Sequence, residues 1–176
     1  MKTIPYGKQF IDDADVRAIS EAAKQDFITT GKSVKKFETN VSKFVQSKYT
    51  AVCNSGTSAI HLALIAVNAK KNDIIIMPAI NFIAAYSMCN FIGAKVYLAD
   101  VDNVSGQMTP ENLIDCIKKN NLKNIKAVIT MHLGGYPKNI DRFYKIKKKY
   151  KFYLIEDACH AFGAQYKYLN KFYKIG

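Results

Sequence analysis

Short apolar runs alternate with helix-period segments along most of this chain. The runs that are apolar almost throughout, as in parallel strands covered on both faces, occupy residues 49–53, 73–77, 94–99, 125–131 and 152–155. Segments with the spacing of helices lie between them, at residues 57–68, 81–91, 110–120 and 139–150. This order predicts a βαβ series, and therefore an α/β fold with a mostly parallel sheet.

Other elements flank this series on both sides. Amphipathic helices are predicted at residues 12–27 and 33–46, and we expect them to lie against the sheet or against a second subunit. After the series, residues 164–166 and 171–173 predict a small hairpin. The pattern divides the chain into an N-terminal helical segment, residues 1–47, and a larger α/β domain, residues 48–176.

The composition is that of a folded domain. The chain has 176 residues, of which 49% are hydrophobic, and this excludes intrinsic disorder. Its longest apolar stretches are far shorter than the roughly 20 residues that cross a bilayer, so no membrane partner is predicted. The N-terminus has no apolar core of a secretion signal, and we expect a cytoplasmic location.

The strong positive charge admits more than one interpretation. A formal net charge of +12 attracts anions, including nucleic acid. Only Arg17 and Arg142 are arginines, however, and base and phosphate recognition rely heavily on arginine, which argues against nucleic-acid binding. The lysine-rich run at residues 145–151 suits a helix end, and a basic rim would equally suit nucleotide diphosphates.

Cysteine and histidine spacing does not predict a metal site. The four cysteines form no C-x-x-C pair and are expected to be free thiols. The three histidines lie far apart, and only Cys159 and His160 adjoin. Adjacent side chains diverge, so they do not form a tetrahedral zinc site.

Residues 54–58, Asn-Ser-Gly-Thr-Ser, form the first candidate site. They follow a predicted strand and begin a predicted helix, where free backbone amides point at an anion. Gly56 lets a ligand approach the backbone, and the hydroxyls of Ser55 and Thr57 can bond phosphate oxygens. An ordinary helix cap would have the same residues.

Two further candidates follow other strands. Asp157 comes with Glu156 at the carboxyl end of a strand, where it could hold a protonated ring nitrogen, pair with a cation, bind a metal or cap a helix. Phe82 stands near a helix start and could stack on a flat cofactor or belong to the core. A phosphate site, an aromatic platform and a carboxylate at one sheet edge are what pyridoxal phosphate requires.

Nucleotide-binding fingerprints are not met. The chain has no G-x-G-x-x-G, which weakens a dinucleotide-binding interpretation. Residues 31–33, Gly-Lys-Ser, end like a phosphate-binding loop, but Asp26 stands where its leading glycine belongs.

Motifs spread over nearly the whole chain share one order and spacing. They are Thr30-Gly31 with Phe37-Glu38, residues 54–63, Pro78 with Phe82 and Ala84, residues 93–96 with Asp100 and Asp102, Gly135 with Pro137, and residues 155–164. By these motifs the chain resembles the N-terminal portion of the DegT/DnrJ/EryC1/StrS family, pyridoxal-phosphate-dependent nucleotide-sugar aminotransferases. The resemblance implies the large domain of an aspartate-aminotransferase-like fold (fold type I), incomplete at the C-terminus and without the small C-terminal domain.

The resemblance also implies residue roles. Gly56 and Thr57 would hold the cofactor phosphate, Phe82 would lie against the pyridine ring, and Asp157 would bond its nitrogen. His160 would lie near the phenolic oxygen of the cofactor. Thr30 and Gly31 would sit at the mouth of the active site, toward the substrate.

The Schiff-base lysine of the family lies in a motif beyond residue 176, so no catalytic residue is assigned and we expect the chain alone to be inactive. The full-length protein would move an amino group from an amino acid, glutamate in the family, to a nucleotide-linked keto-sugar, as a homodimer. The nearest branch by resemblance aminates UDP-linked sugars of the pseudaminic-acid type. Three alternatives stay open: a sugar dehydratase of the same family, a catalytically silent partner subunit, and a basic nucleic-acid-binding α/β module.

Overall fold

The computed structural model describes residues 4–5 and 7–176 of the chain. Its helices are α1 Asp13–Ala23, α2 Lys32–Val45, α3 Gly56–Ala66, α4 Ile83–Phe91, α5 Pro110–Lys119 and α6 Ile140–Tyr150. Its strands are β1 Ile74–Pro78, β2 Lys95–Ala99, β3 Ile125–Met131, β4 Tyr153–Asp157, β5 Gln165–Tyr168 and β6 Lys171–Lys174. The predicted α/β class and the predicted hairpin are both observed.

Strands β1 to β4 form one parallel sheet. Their order is β2-β1-β3-β4, so the chain moves outward from β1 to β2 and then returns to place β3 on the other side of β1. The direction of winding therefore reverses between β1 and β3. Open parallel sheets bind ligands beyond the carboxyl ends of their strands at such a reversal.

Each face of the sheet has its own core. Helices α3 and α4 cover one face, where Leu64 and Cys89 pack on Ile75 and Ile129. Helices α5 and α6 cover the other, where Leu113 and Phe143 pack on strand residues such as Val128. Burial of both faces explains why the central strands β1 and β3 are mostly apolar instead of alternating.

Local sequence explains where several helices begin and end. Thr109 caps α5 in a reciprocal capping box with Asn112, and Pro110 occupies the first helical turn. The predicted lysine-rich run ends α6, with Lys147, Lys148 and Lys149 in the last turn, where cations complement the helix dipole.

The strand predicted at residues 49–53 is wrong. The segment is irregular, and Tyr49 and Val52 are 79% and 42% exposed. A strand requires a neighbouring strand to take its backbone hydrogen bonds, and none of the described strands pairs with this segment. The Val52 amide instead donates to Glu38 Oε1 of α2 (3.1 Å).

The N-terminal helices lie largely at the surface. Helix α1 buries none of its residues, so it does not rest on the sheet as one expectation had it, and it ends earlier than predicted, with Lys24 as its C-cap. Helix α2 buries only Val45 and contacts β6 of the hairpin. Residues 1–3 and 6 of the predicted helical segment 1–47 lie outside the described residues. Within the part that the structure describes, no helix has the length and apolar character of a membrane span.

Candidate functional site

A cavity of 470 Å³ opens at the carboxyl edge of the sheet, where the winding reverses. The segments after β1, β3 and β4 and the first turn of α3 converge on it. Its lining comprises Gly56, Thr57, Ile60, Ile80, Asn81, Phe82, Ala84, Met131, Leu133, Asp157, Cys159 and His160. Five of the eight predicted site residues, Gly56, Thr57, Phe82, Asp157 and His160, therefore meet in one place.

The first turn of α3 gives the cavity its anion-attracting end. Ser55 is the N-cap, and its hydroxyl accepts from the Ser58 amide (3.1 Å). Gly56 begins the helix at the cavity wall, where a Cβ would come within 3.2 Å of the Cys159 sulfur. The turn has no acidic side chain, so the positive end of the helix dipole is not neutralised.

Asp157 provides the carboxylate of the cavity. It is the last residue of β4, only 6% exposed, and its Oδ1 accepts from the Cys159 amide (3.1 Å). A side-chain hydrogen bond to Asp157, together with burial, raises the pKa of the Cys159 thiol to about 11. The carboxylate is thus held inside a mostly apolar wall, while the neighbouring thiol stays protonated at neutral pH.

Phe82 is not a core residue. It is the N-cap of α4, makes no side-chain cap, and is 63% exposed while lining the cavity. Ile80 and Met131 extend the apolar wall beside it. Of the two interpretations that the sequence left open, the core position is therefore excluded, and stacking of Phe82 on a ligand stays a prediction.

The orientation of His160 is set by a tight turn after β3. The Gly134 amide donates to His160 Nδ1 (3.3 Å), from the 3-10 turn Leu133–Gly135. A ring nitrogen that accepts carries no proton, so the neutral imidazole has its proton on Nε2. His160 therefore has an N–H donor available for a ligand.

The other predicted site residues lie elsewhere. Ser55 uses its hydroxyl within the α3 cap and does not line the cavity. Gly31 lines a separate pocket of 240 Å³ with Lys24 and Lys32, and Thr30 lies next to it, exposed. A contact of Ser55, Thr30 or Gly31 with a ligand stays a prediction.

A second polar cluster lies on the opposite face of the sheet. Glu156 accepts from Tyr144 (2.9 Å) and pairs with His132 Nε2 (3.0 Å). His132 is buried, and its backbone amide donates to the Asp157 carbonyl (3.2 Å). Sequence reasoning missed His132, although it directly follows the apolar strand β3, at the same sheet edge as Asp157, the last residue of β4.

The cavity lining has no lysine, and the described residues have no cluster of metal ligands. Among the residues that the structure describes, no group of three His, Cys, Asp or Glu side chains is placed to hold a metal ion. An aromatic surface, a helix start, a carboxylate and an N–H donor are what the cavity offers.

Comparison with known proteins identifies the family of this chain. The family model for the DegT/DnrJ/EryC1/StrS aminotransferase family matches residues 9–173. A UDP-4-amino-4,6-dideoxy-N-acetyl-beta-L-altrosamine transaminase from Campylobacter jejuni is 35% identical over 164 residues, which are 93% of this chain and 43% of that protein. The chain thus spans less than half the length of this relative.

Solved structures share the fold. An aminotransferase from Psychrobacter cryohalolentis superposes with a TM-score of 0.82 at 29% identity, covering 90% of this chain and 40% of that one. The GDP-4-keto-6-deoxy-D-mannose-3-dehydratase of E. coli, solved with bound hydrated pyridoxal phosphate, gives a TM-score of 0.84 at 30% identity. It covers 97% of this chain and 44% of its own. The predicted aminotransferase-like α/β fold is confirmed.

Proposed function

Because this chain belongs to the DegT/DnrJ/EryC1/StrS aminotransferase family, we propose that it is the N-terminal part of a pyridoxal-phosphate-dependent nucleotide-sugar aminotransferase. The full-length enzyme would transfer an amino group from an amino acid, with glutamate as the first donor to test, to a keto-sugar on a nucleoside diphosphate. The observation that carries this proposal is the convergence of Gly56, Thr57, Phe82 and Asp157 on one cavity.

The cavity residues fit pyridoxal phosphate. The first turn of α3 would hold the phosphate through the Gly56 and Thr57 amides, which have no acceptor within the helix, and no acidic side chain of the turn opposes a dianion. Phe82 would lie against the ring, and Asp157 would hold the proton of the pyridine nitrogen. His160 would donate its Nε2 proton to the phenolic oxygen. When bound, the cofactor supplies an electron-accepting ring that stabilises negative charge on the substrate carbon.

A UDP-linked 4-keto-6-deoxy-N-acetylhexosamine is the substrate class that we favour. The support is the Campylobacter relative, whose name specifies a UDP-linked amino-dideoxy sugar and which is 35% identical. The net charge of +12 suits the diphosphate of such a substrate. Thr30 and Gly31, beside Lys32, would meet the substrate at the mouth of the site.

We further propose a homodimer in the cytoplasm for the full-length enzyme. Exposed apolar residues next to the cavity, among them Ile80 and Ile83, would be covered by a second copy. All four cysteines are free, as is usual in a reducing compartment.

A sugar dehydratase of the same family is the second candidate. Its support is the E. coli dehydratase, whose structure covers 97% of this chain at 30% identity. Both activities use the same cofactor, and they differ at the residue that takes the place of the family lysine. Incubating the full-length enzyme with glutamate and the keto-sugar separates them, since only the transaminase forms an amino-sugar.

Binding of pyridoxamine phosphate to the chain tests the cofactor site. This form has no aldehyde, so it cannot condense with the 24 lysines of the chain. We expect saturable binding by equilibrium dialysis. Phe82→Ala removes the aromatic surface, on the order of 1–2 kcal/mol of contact, and should weaken binding about five- to thirtyfold. Phe91→Ala removes another exposed phenylalanine that does not line the cavity and should bind as wild type does. Equal loss in both variants, or no binding by the wild type, would contradict the proposal.

A further inference from the structure

Gln107 is a buried polar residue outside the cavity. It is only 6% exposed and lies in the loop, residues 100–109, that leads from β2 to α5. Its Nε2 donates to the carbonyl oxygens of Leu133 (2.9 Å) and Tyr136 (3.0 Å), 26 and 29 residues away. Two carbonyl acceptors use both protons of one amide group, so its orientation is fixed.

The same loop contacts the turn at Leu133 and the segment after the turn at Lys138. Gly106 approaches Leu133 so closely that a Cβ at Gly106 would lie 3.1 Å from Leu133 Cδ2. Lys138 Nζ lies 3.9 Å from Asp102 Oδ1, while the same oxygen accepts from Ser105. The loop therefore holds the turn Leu133–Gly135 from outside the site.

The Leu133–Gly135 turn contacts His160 directly. A Cβ at Gly135 would lie only 2.6 Å from the His160 carbonyl oxygen, so the two backbones are in direct contact. Gly134 adopts a positive φ of 70° and donates its amide to His160 Nδ1. Any shift of the turn moves the donor that fixes which ring nitrogen of His160 carries the proton.

We propose that Gln107 is a positioning residue for His160: through the Leu133–Gly135 turn it fixes the His160 ring with Nδ1 as acceptor and Nε2 as donor. Gln107 touches neither the cavity nor a ligand. Its relevance to cofactor binding rests on the proposed function, whereas its effect on the ring can be measured without any ligand.

The test compares the His160 ring nitrogens in the chain and its variants by 15N NMR at about pH 8.5, where a free imidazole is neutral. In the wild type we expect a protonated Nε2 and an unprotonated Nδ1. Gln107→Met keeps the side-chain length but donates nothing, and Gln107→Asn keeps the amide but falls short of the carbonyls. Both should lose the fixed tautomer and give averaged signals, while Gln165→Met, on the exposed strand β5, should leave them unchanged.

Thermal unfolding shows which variants are folded, and Gln107→Asn supplies the comparison if Gln107→Met does not fold. Mixed tautomers in the wild type, or wild-type nitrogen signals in a folded Gln107 variant, would overturn the proposal.

A binding measurement separates this inference from the proposed function. Loss of one fixed donor should weaken pyridoxamine phosphate binding about five- to tenfold in the Gln107 variants. Failure of the wild type to bind would reject the proposed function alone, because the nitrogen signals test the positioning independently. Wild-type binding that is unchanged in the variants, despite averaged His160 signals, would show that the fixed tautomer does not serve the cofactor and would overturn that part of the inference.

Discussion

Adjacent residues at the end of β4 have opposite environments. Asp157 faces the cavity on the side of α3 and α4, and Glu156 binds His132 and Tyr144 on the other side. The alternation of a strand separates them, because Ile155 packs in the α3–α4 core and Leu154 in the α5–α6 core. The sequence alone was sufficient to predict a carboxylate at this strand end.

Other parts of the site could not be read from the sequence. The turn after β3 and its bonds to Gln107 join residues 26 to 29 apart. No local pattern encodes such a contact, since it depends on how the sheet brings the loop before α5 to the turn after β3. Ser55 caps its own helix start, as the local sequence allowed, and its contact with a ligand stays a prediction.

Cys159 is expected to react slowly although it is exposed. The hydrogen bond to Asp157, together with burial, raises the pKa of its thiol from 9.0 to about 11, so at pH 8 its thiolate fraction falls about a hundredfold. Iodoacetamide labelling resolved by mass spectrometry should therefore show slow labelling of Cys159 that accelerates up to pH 11.

In Asp157→Asn, the same cysteine should be labelled faster at pH 8, because the carboxylate that accepts its proton is gone. Buried Cys89 serves as the internal control, since it does not touch Asp157 and should be unaffected. Equal labelling rates for Cys159 in the wild type and in Asp157→Asn would show that the thiol does not donate a hydrogen bond to Asp157.

At the scale of elements, the prediction succeeds where local chemistry defines the boundary. Residues 109–111 mark the start of α5, and the structure begins the helix at Pro110. The prediction fails at residues 49–53, where a strand was inferred from apolar character alone. Hydrophobicity indicates that a segment can be buried in a sheet, but only a neighbouring strand makes it one.

Thr109→Ala should destabilise the chain by about 1 kcal/mol, because it removes the hydroxyl of the α5 capping box. Thr39→Ala is the matched control, since Thr39 lies exposed inside α2 and only bonds back to the Lys35 carbonyl. Urea unfolding followed by circular dichroism measures both. A loss no larger than that of the control would mean that Pro110 and the remaining first turn fix this helix start without Thr109.

Tyr144→Phe should change the alkaline stability. Burial and the neighbouring Glu156 carboxylate raise the pKa of Tyr144 in the folded chain. A raised folded pKa stabilises the chain below about pH 10, the unfolded tyrosine value, and this stability is lost as pH rises above it. The wild type should therefore lose stability more steeply above pH 10 than Tyr144→Phe does.

Tyr153→Phe is the matched control, because Tyr153 is exposed and its hydroxyl makes no hydrogen bond among the described residues. Parallel curves for the wild type and Tyr144→Phe would indicate that the Tyr144 hydroxyl ionises as freely in the folded chain as in the unfolded one.

At the scale of the whole molecule, the cavity is a consequence of topology. The winding reverses between β1 and β3, and this leaves a crevice at the carboxyl ends of these strands. The helices on the two faces of the sheet do not cover it. The segments after three strands reach it, which is why motifs spread over a hundred residues converge there. Order and spacing of those motifs along the chain were sufficient to predict that convergence.

The net charge of +12 should give weak, sequence-independent attraction to polyanions. Fluorescence anisotropy with a mixed-sequence DNA duplex should show binding at 50 mM salt that is lost by about 200 mM. Tight binding that persists at the higher salt, or a clear preference for one sequence, would favour the nucleic-acid-binding alternative.

The outer edge of β4 has practical consequences for handling the molecule. β4 is an edge strand among the described strands, and its neighbour Phe162 lies exposed beside an apolar groove with Ala59 and Ala63. Exposed strand edges of two molecules can pair by backbone hydrogen bonds. Here electrostatic repulsion between the highly cationic molecules opposes that pairing. Raising the ionic strength during purification screens this repulsion and should therefore promote aggregation. A low-salt buffer with a modest protein concentration should keep the chain monomeric.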